Sequence, residues 1–118
     1  MPQIALEYTR HLSATDWTPV ALDIHRATVE IAGAALSACK TRLIALDRVV
    51  IADDESDSAM LACRIGLMSG RTPEQRAALS ERVLQILASA LSSSPVPVQA
   101  SVEVFELNAT YRKVMAGR

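Results

Sequence analysis

The chain has 118 residues and a mass of 12.7 kDa, the size of one domain spanning 1–118. Lys+Arg 12 against Asp+Glu 13 leave a net charge of -1, while 50% of the residues are apolar and only 3% aromatic. A binder of nucleic acid needs either a basic excess for phosphates or aromatic platforms for bases, so that partner class is excluded, and so is disorder, which goes with low hydrophobicity and high net charge.

Charges at Asp23, Arg48 and Arg82 interrupt every apolar run, so no stretch approaches the roughly 18 residues that cross a bilayer. The opening MPQIALEYTR has no basic segment followed by an apolar one, the mark of a secretory signal. A soluble, cytoplasmic protein with no membrane partner is the expectation. Cys39, Cys63, His11 and His25 lack metal-ligand spacing, and both cysteines read as small buried apolar residues. No metal site is expected from them.

Residues Ile4 to Thr9 alternate, with Ile4, Leu6 and Tyr8 on one face, which is the period of a half-buried strand. Thr18 before Pro19 pairs a capping residue with a favoured first helical position. Val20, Ile24, Ala27, Ile31 and Ala35 then recur at helical spacing and predict a helix from Pro19 to Ser37. The branched residues of Arg42 to Ala52 predict a second strand, closed by the acidic run at 53–57, which reads as a solvated turn because it lacks the spacing and glycine of a calcium loop.

Ala59 to Leu67 reads as a third strand. Thr72, Pro73 and Gln75 combine a capping residue, a first-turn proline and a capping-box partner, and open a second helix with Leu79, Val83, Ile86, Leu87 and Ala90 on its buried stripe. The prolines and serines of 92–97 end it, and Val98 to Leu107 is a fourth strand.

The order is β-α-β-β-α-β. Thr18-Pro19 and Thr72-Pro73 are offset by 54 positions, and the same offset lays Ile44–Val50 on Val98–Val104, so the chain reads as a duplicated βαβ unit. Right-handed crossovers then give an α+β fold: a four-stranded mixed sheet with both helices on one face. The other face is bare, and the surplus of apolar side chains is expected there, covered by further copies of the chain.

Pro2 is the first candidate for chemistry. Removal of Met1 would expose a secondary amine at the start of the first strand. An α-amino group has an ordinary pKa of about 8, and desolvation or nearby guanidinium groups would bring it toward neutrality and make it a general acid and base. Arg71, at the end of the third strand and ahead of the second helix, is placed to hold an anion with free backbone N–H groups. Arg42 opens the second strand, with Lys40 just before it. Arg10, Arg26, Arg48, Arg76 and Arg82 read as surface charges, Arg64 as interfacial, and His25 as structural or solvated.

The MPxxxLEYT start, CKTRL at Cys39–Leu43, GRTPEQR at Gly70–Arg76 and SVEVFELNATYRK at Ser101–Lys113 together resemble the 5-carboxymethyl-2-hydroxymuconate isomerases of the tautomerase superfamily. The likeness runs in order over essentially the whole chain. It implies a cytoplasmic homotrimer with helices outside and sheets inward, and a cofactor-independent isomerase acting on a small-molecule carboxylate, as in aromatic degradation. It further implies that Pro2 is the acid and base and that Arg71 and Arg42 are catalytic cations at the carboxylates and 2-oxo group, with Lys40 in substrate binding. Typical members carry histidine where this chain has Gln3, and aromatic residues or histidine where it has Met60, Ala62 and Cys63, differences that bear on substrate more than on reaction type. The alternatives are another Pro2-based tautomerase or hydratase-like activity and a noncatalytic trimeric binding protein.

Overall fold

Strand β1 spans Gln3–Thr9, and its alternation is the one read from the sequence: Ile4, Leu6 and Tyr8 are buried while Gln3, Ala5 and Glu7 are partly open. The computed structural model describes residues 1–53 and 58–118, so most of the acidic run lies outside the described residues. Helix α1 covers Thr18–Ala32, β2 Lys40–Leu46, β3 Ala59–Leu67, α2 Pro73–Ala90 and β4 Val98–Glu106. The strand order is β2-β1-β3-β4. The two crossover pairs, β1 with β2 and β3 with β4, are parallel, and the central pair β1 with β3 is antiparallel. This is the mixed sheet that two like-handed βαβ units give when they meet edge to edge.

Several boundaries depart from the sequence reading, each for a local reason. Helix α1 starts one residue early, with Trp17 rather than Thr18 at its cap. Trp17 is buried, stacks on Tyr8 at 5.6 Å and donates to the Leu12 carbonyl at 2.8 Å, while the Asp16 carboxylate accepts from the Thr18 N–H at 3.0 Å. The helix stops at Ala32 instead of Ser37 because Gly33 adopts φ 68°, a left-handed cap open to glycine. A short 3-10 turn, Leu36–Ala38, follows.

Strand β2 begins at Lys40 and ends at Leu46, not Arg42 to Ala52, because it pairs along the seven residues of β1, from Gln3 opposite Lys40 to Thr9 opposite Leu46. The pairing of β2 with β1 ends there. Strand β4 ends one residue short of the expected Leu107. The 54-residue offset therefore relates the Thr-Pro pairs, while the helices start 55 residues apart, at Thr18 and Pro73, and the second strands are offset further; the duplication is one of topology.

The core lies between the sheet and the helices: Ile4, Leu6, Leu61, Cys63 and Ile65 from the strands meet Ile24, Ala27, Leu79, Val83 and Leu87 from the helices. Helix α2 opens with the expected capping box, Thr72 Oγ1 accepting from Gln75 N–H at 3.0 Å and Gln75 Oε1 from Thr72 N–H at 2.9 Å. No helix among the described residues is long and apolar enough to cross a membrane.

The bare face differs from the expected apolar one. The register places Ala5, Ile44, Leu46, Met60, Ala62 and Phe105 on it together with Glu7, Arg42, Arg64, Gln99, Ser101 and Glu103. Arg64 pairs with Glu103 at 3.0 Å and lies 4.7 Å from the Phe105 ring centre. The most exposed large apolar side chains are elsewhere, at Val50, Leu36, Val114 and Met115 among others. This face is a mixed, charge-paired surface.

Candidate active site

The topology gathers one end of every element around the start of β1. Gln3 lies opposite Lys40 of β2 and Gly66 of β3, and Gly66 lies opposite Phe105 of β4. The chain ends that leave β3 and β4, and the one that enters β2, all surround the amino terminus. Between them is a cavity of about 560 Å³ lined by Met1, Gln3, Ser37, Lys40 and residues 111–115. Its lining carries the cations Lys40, Arg112 and Lys113 and no carboxylate side chain, which suits an anionic small molecule.

Pro2 is fully buried, between Met1 and Gln3, which line this cavity while Pro2 itself does not. With Met1 in place the ring nitrogen is a tertiary amide, and the free amine is that of Met1. That amine is held below its ordinary value of about 8, first by desolvation and then by the positive charges of Arg71, Lys40 and Lys113, with Cys39 acting weakly in the opposite sense. A terminal amine at this spot is thus easier to deprotonate than one in water. Loss of Met1 would move the amine to Pro2, one residue further into the same surroundings.

Arg71 reaches the site because the turn after β3 is tight: Gly70 takes φ 114°, a conformation that side chains rarely tolerate. The half-buried guanidinium donates through Nε to the Ala32 carbonyl at 2.9 Å and through Nη1 to the Met68 carbonyl at 3.4 Å. Ala32 is the last residue of α1, so its carbonyl has no intrahelical partner. Arg71 thereby closes the end of α1 and keeps other donors of its fork for a ligand. The expected anion pocket on the backbone amides of α2 is partly spent, because the capping box already engages the Thr72 and Gln75 N–H groups.

Lys40 starts β2 beside the amino terminus, its ammonium donating to the Ala38 carbonyl at 3.2 Å. Arg42 lies two residues further along, on the bare face, where Nη1 donates to Gln3 Oε1 at 3.0 Å. The structure therefore brings Pro2, Lys40 and Arg71 together at one end of the sheet, and links Arg42 to them through Gln3. His25 donates to or accepts from Thr41 Oγ1 at 2.7 Å, and burial lowers its pKa; it is a structural group on the helix side. Among the described residues no group of three or more histidines, cysteines or carboxylates could hold a metal ion.

Sequence reasoning missed Lys113 and Tyr111. Tyr111 accepts a hydrogen bond from Gln3 Nε2 at 2.9 Å across 108 residues. The signal was available in the topology: a strand parallel to β3 must end where β1 begins, so the residues after β4 are bound to meet the amino terminus.

The sequence pattern of the 5-carboxymethyl-2-hydroxymuconate isomerases matches residues 2–114. Among curated proteins no relative matches. Among solved structures the chain is similar to a 5-carboxymethyl-2-hydroxymuconate isomerase from Deinococcus radiodurans R1, with a TM-score of 0.84 at 18% identity over 95% of this chain and 88% of that one. A 5-carboxymethyl-2-hydroxymuconate delta-isomerase gives a TM-score of 0.79 at 18% identity, covering 98% of this chain and 89% of the other. A fused 4-OT described as a symmetric trimer gives 0.68 at 21% identity, covering 98% and 94%. These likenesses bear on the fold, and the family match covers nearly the whole chain. The chain belongs to the 5-carboxymethyl-2-hydroxymuconate isomerase family, isomerases of the tautomerase superfamily.

Proposed function

We propose that the protein is a cytoplasmic, cofactor-independent isomerase of a single tautomerase-like domain, in which the amine of Pro2, freed by removal of Met1, shifts a proton on an unsaturated 2-hydroxy or 2-oxo acid of the 5-carboxymethyl-2-hydroxymuconate type. The observation that carries this reading is the place of the amino terminus, at a cavity lined by Lys40, Arg112 and Lys113 and no carboxylate side chain, where desolvation and the charges of Arg71, Lys40 and Lys113 lower the pKa of the Met1 amine. A terminal amine that gives up its proton more readily than one in water, set beside an anion-attracting cavity, is what the reaction requires.

The amine takes a proton from the substrate, leaving a conjugated dienolate whose negative charge spreads onto the 2-oxygen, and returns the proton to a different carbon. Cations fixed beforehand near that oxygen stabilise the charge as it develops. Arg71 serves this role from the turn after β3, Lys40 holds a carboxylate, and Arg42 acts from the bare face, where the neighbouring subunit of a homotrimer would meet it. A trimer is supported by the solved relatives described as symmetric trimers.

The test is intact mass together with solvent exchange. The purified protein should be short by one methionine, and turnover in heavy water should place one deuterium on the carbon that receives the proton. A protein retaining Met1 that still isomerises the substrate would overturn the role of Pro2.

A further inference from the structure

A chain of three polar side chains crosses the start of the sheet. Arg42 Nη1 donates to Gln3 Oε1 at 3.0 Å, and Gln3 Nε2 donates to the Tyr111 hydroxyl at 2.9 Å. The direction of this chain follows from chemistry. A guanidinium has donors only, so the amide of Gln3 must turn its oxygen to Arg42 and its NH₂ to Tyr111. The phenol oxygen is thereby made an acceptor, and its single hydrogen is left to point elsewhere. Gln3 and Tyr111 both line the cavity at the amino terminus.

Tyr111 itself is held by its backbone. Its N–H donates to the Asn108 carbonyl at 2.9 Å, and Asn108 Oδ1 accepts from both the N–H and the hydroxyl of Thr110, at 2.9 and 2.7 Å. That local turn fixes where the ring enters the cavity. An amide fixed by an arginine on one side and a tyrosine fixed by a turn on the other form a preorganised donor.

We propose that Tyr111 is a ligand-binding residue of this site, donating its hydroxyl hydrogen to an oxygen of a bound 2-oxo dicarboxylate, and that Gln3, oriented by Arg42, is the positioning residue that keeps this hydrogen free. The proposal rests on the reading of the cavity as the site for an unsaturated 2-oxo acid, but not on Pro2 being the base. Arg42 acquires a second task, felt at the cavity through the amide it polarises.

The test uses 2-oxoadipate, a saturated 2-oxo dicarboxylate, titrated calorimetrically into wild type, Tyr111→Phe, Gln3→Glu and the double variant. The carboxylate introduced by Gln3→Glu would be acceptor-only, would still pair with Arg42, and would draw the phenol hydrogen onto itself. Tyr111→Phe and Gln3→Glu should each weaken binding about tenfold, the loss expected for one hydrogen bond to a charged partner. The double variant should bind no worse than either single one, because both remove the same hydrogen bond. Gln3→Met, which frees the phenol from any acceptor, separates misfolding from the proposed effect: it should bind more tightly than Gln3→Glu.

Unchanged binding in Tyr111→Phe, fully additive losses in the double variant, or no binding of 2-oxoadipate by the wild type would each overturn the proposal. Failure of the Pro2 reading looks different: turnover would then be indifferent to Pro2 substitution while these binding differences persist.

Discussion

The Arg71 guanidinium and the carbonyl oxygen of Ala32, 39 residues apart in the chain, are joined by a hydrogen bond of 2.9 Å. This one contact fastens the turn after β3 to the end of α1 and sets a positive charge beside the amino terminus. The same side chain thus serves the fold and the electrostatics of the amino terminus. Arg71→Ala should cost about 1 kcal/mol of stability in urea unfolding, the usual worth of such a bond. It should also let the terminal amine keep its proton to higher pH, because a repelling cation is gone. The acid limb of the pH profile of kcat/KM should move upward, with Arg71→Lys between the two. A profile unmoved by Arg71→Ala would remove Arg71 from the electrostatics of the site.

Salt should act in the same direction. Desolvation and three cations both lower the amine's pKa, but only the cations are screened. Raising ionic strength from about 0.1 to 1 M shortens the screening length from about 10 to 3 Å. In wild type the acid limb of kcat/KM should move to higher pH as salt is raised, because the repelling cations around the amine are screened. A limb that ignores salt would assign the whole depression to burial.

Cys63 offers a check on the core. It faces the helices from β3, and burial raises its pKa from 9.0 to about 12. A raised thiol pKa means that the unfolded chain ionises first, so its contribution is intact below pH 9 and is lost as pH climbs toward 12. Urea unfolding between pH 8 and 10.5 should show a steeper loss of stability in wild type than in Cys63→Ala. Alkylation of the folded protein at pH 8 should spare Cys63, and denaturant should expose it.

The start of α2 separates local from tertiary stabilisation. Thr72→Ala removes one half of the capping box and should cost about 1 kcal/mol. Leu79→Ala, at a site with no solvent exposure, should cost about 3 kcal/mol through lost burial and a cavity. Thermal or urea unfolding of the two variants measures both, and equal losses would contradict the core described above.

What was legible in the sequence was whatever local chemistry decides. The alternation of Ile4, Leu6 and Tyr8 and the Thr72-Pro73-Gln75 cap appear in the structure as read. Strand β2 reads too far along the chain because apolar, branched residues continue past Leu46, whereas pairing with β1 ends there, and pairing is a tertiary fact. Gly33 outweighs an apolar spacing that runs on to Ala35. Pro2, Lys40 and Arg71 can be nominated one by one, since each sits at an element boundary. Tyr111 and Lys113 cannot, because only the sheet order carries the chain end back to its beginning. The charge pairing of Arg64 with Glu103 likewise needs the register of β3 against β4, and without it the bare face reads as apolar.

The central claim is that the ring amine of Pro2 carries the proton. Its most direct measurement is kcat/KM for ketonisation of 5-carboxymethyl-2-hydroxymuconate by Pro2→Ala, compared with wild type in preparations whose mass shows residue 2 as the first. The substitution leaves a primary amine on a freer chain end and keeps every cation of the site. A fall of at least about a hundredfold is expected, the lower range for loss of a positioned acid and base, and a wild-type rate would contradict the claim.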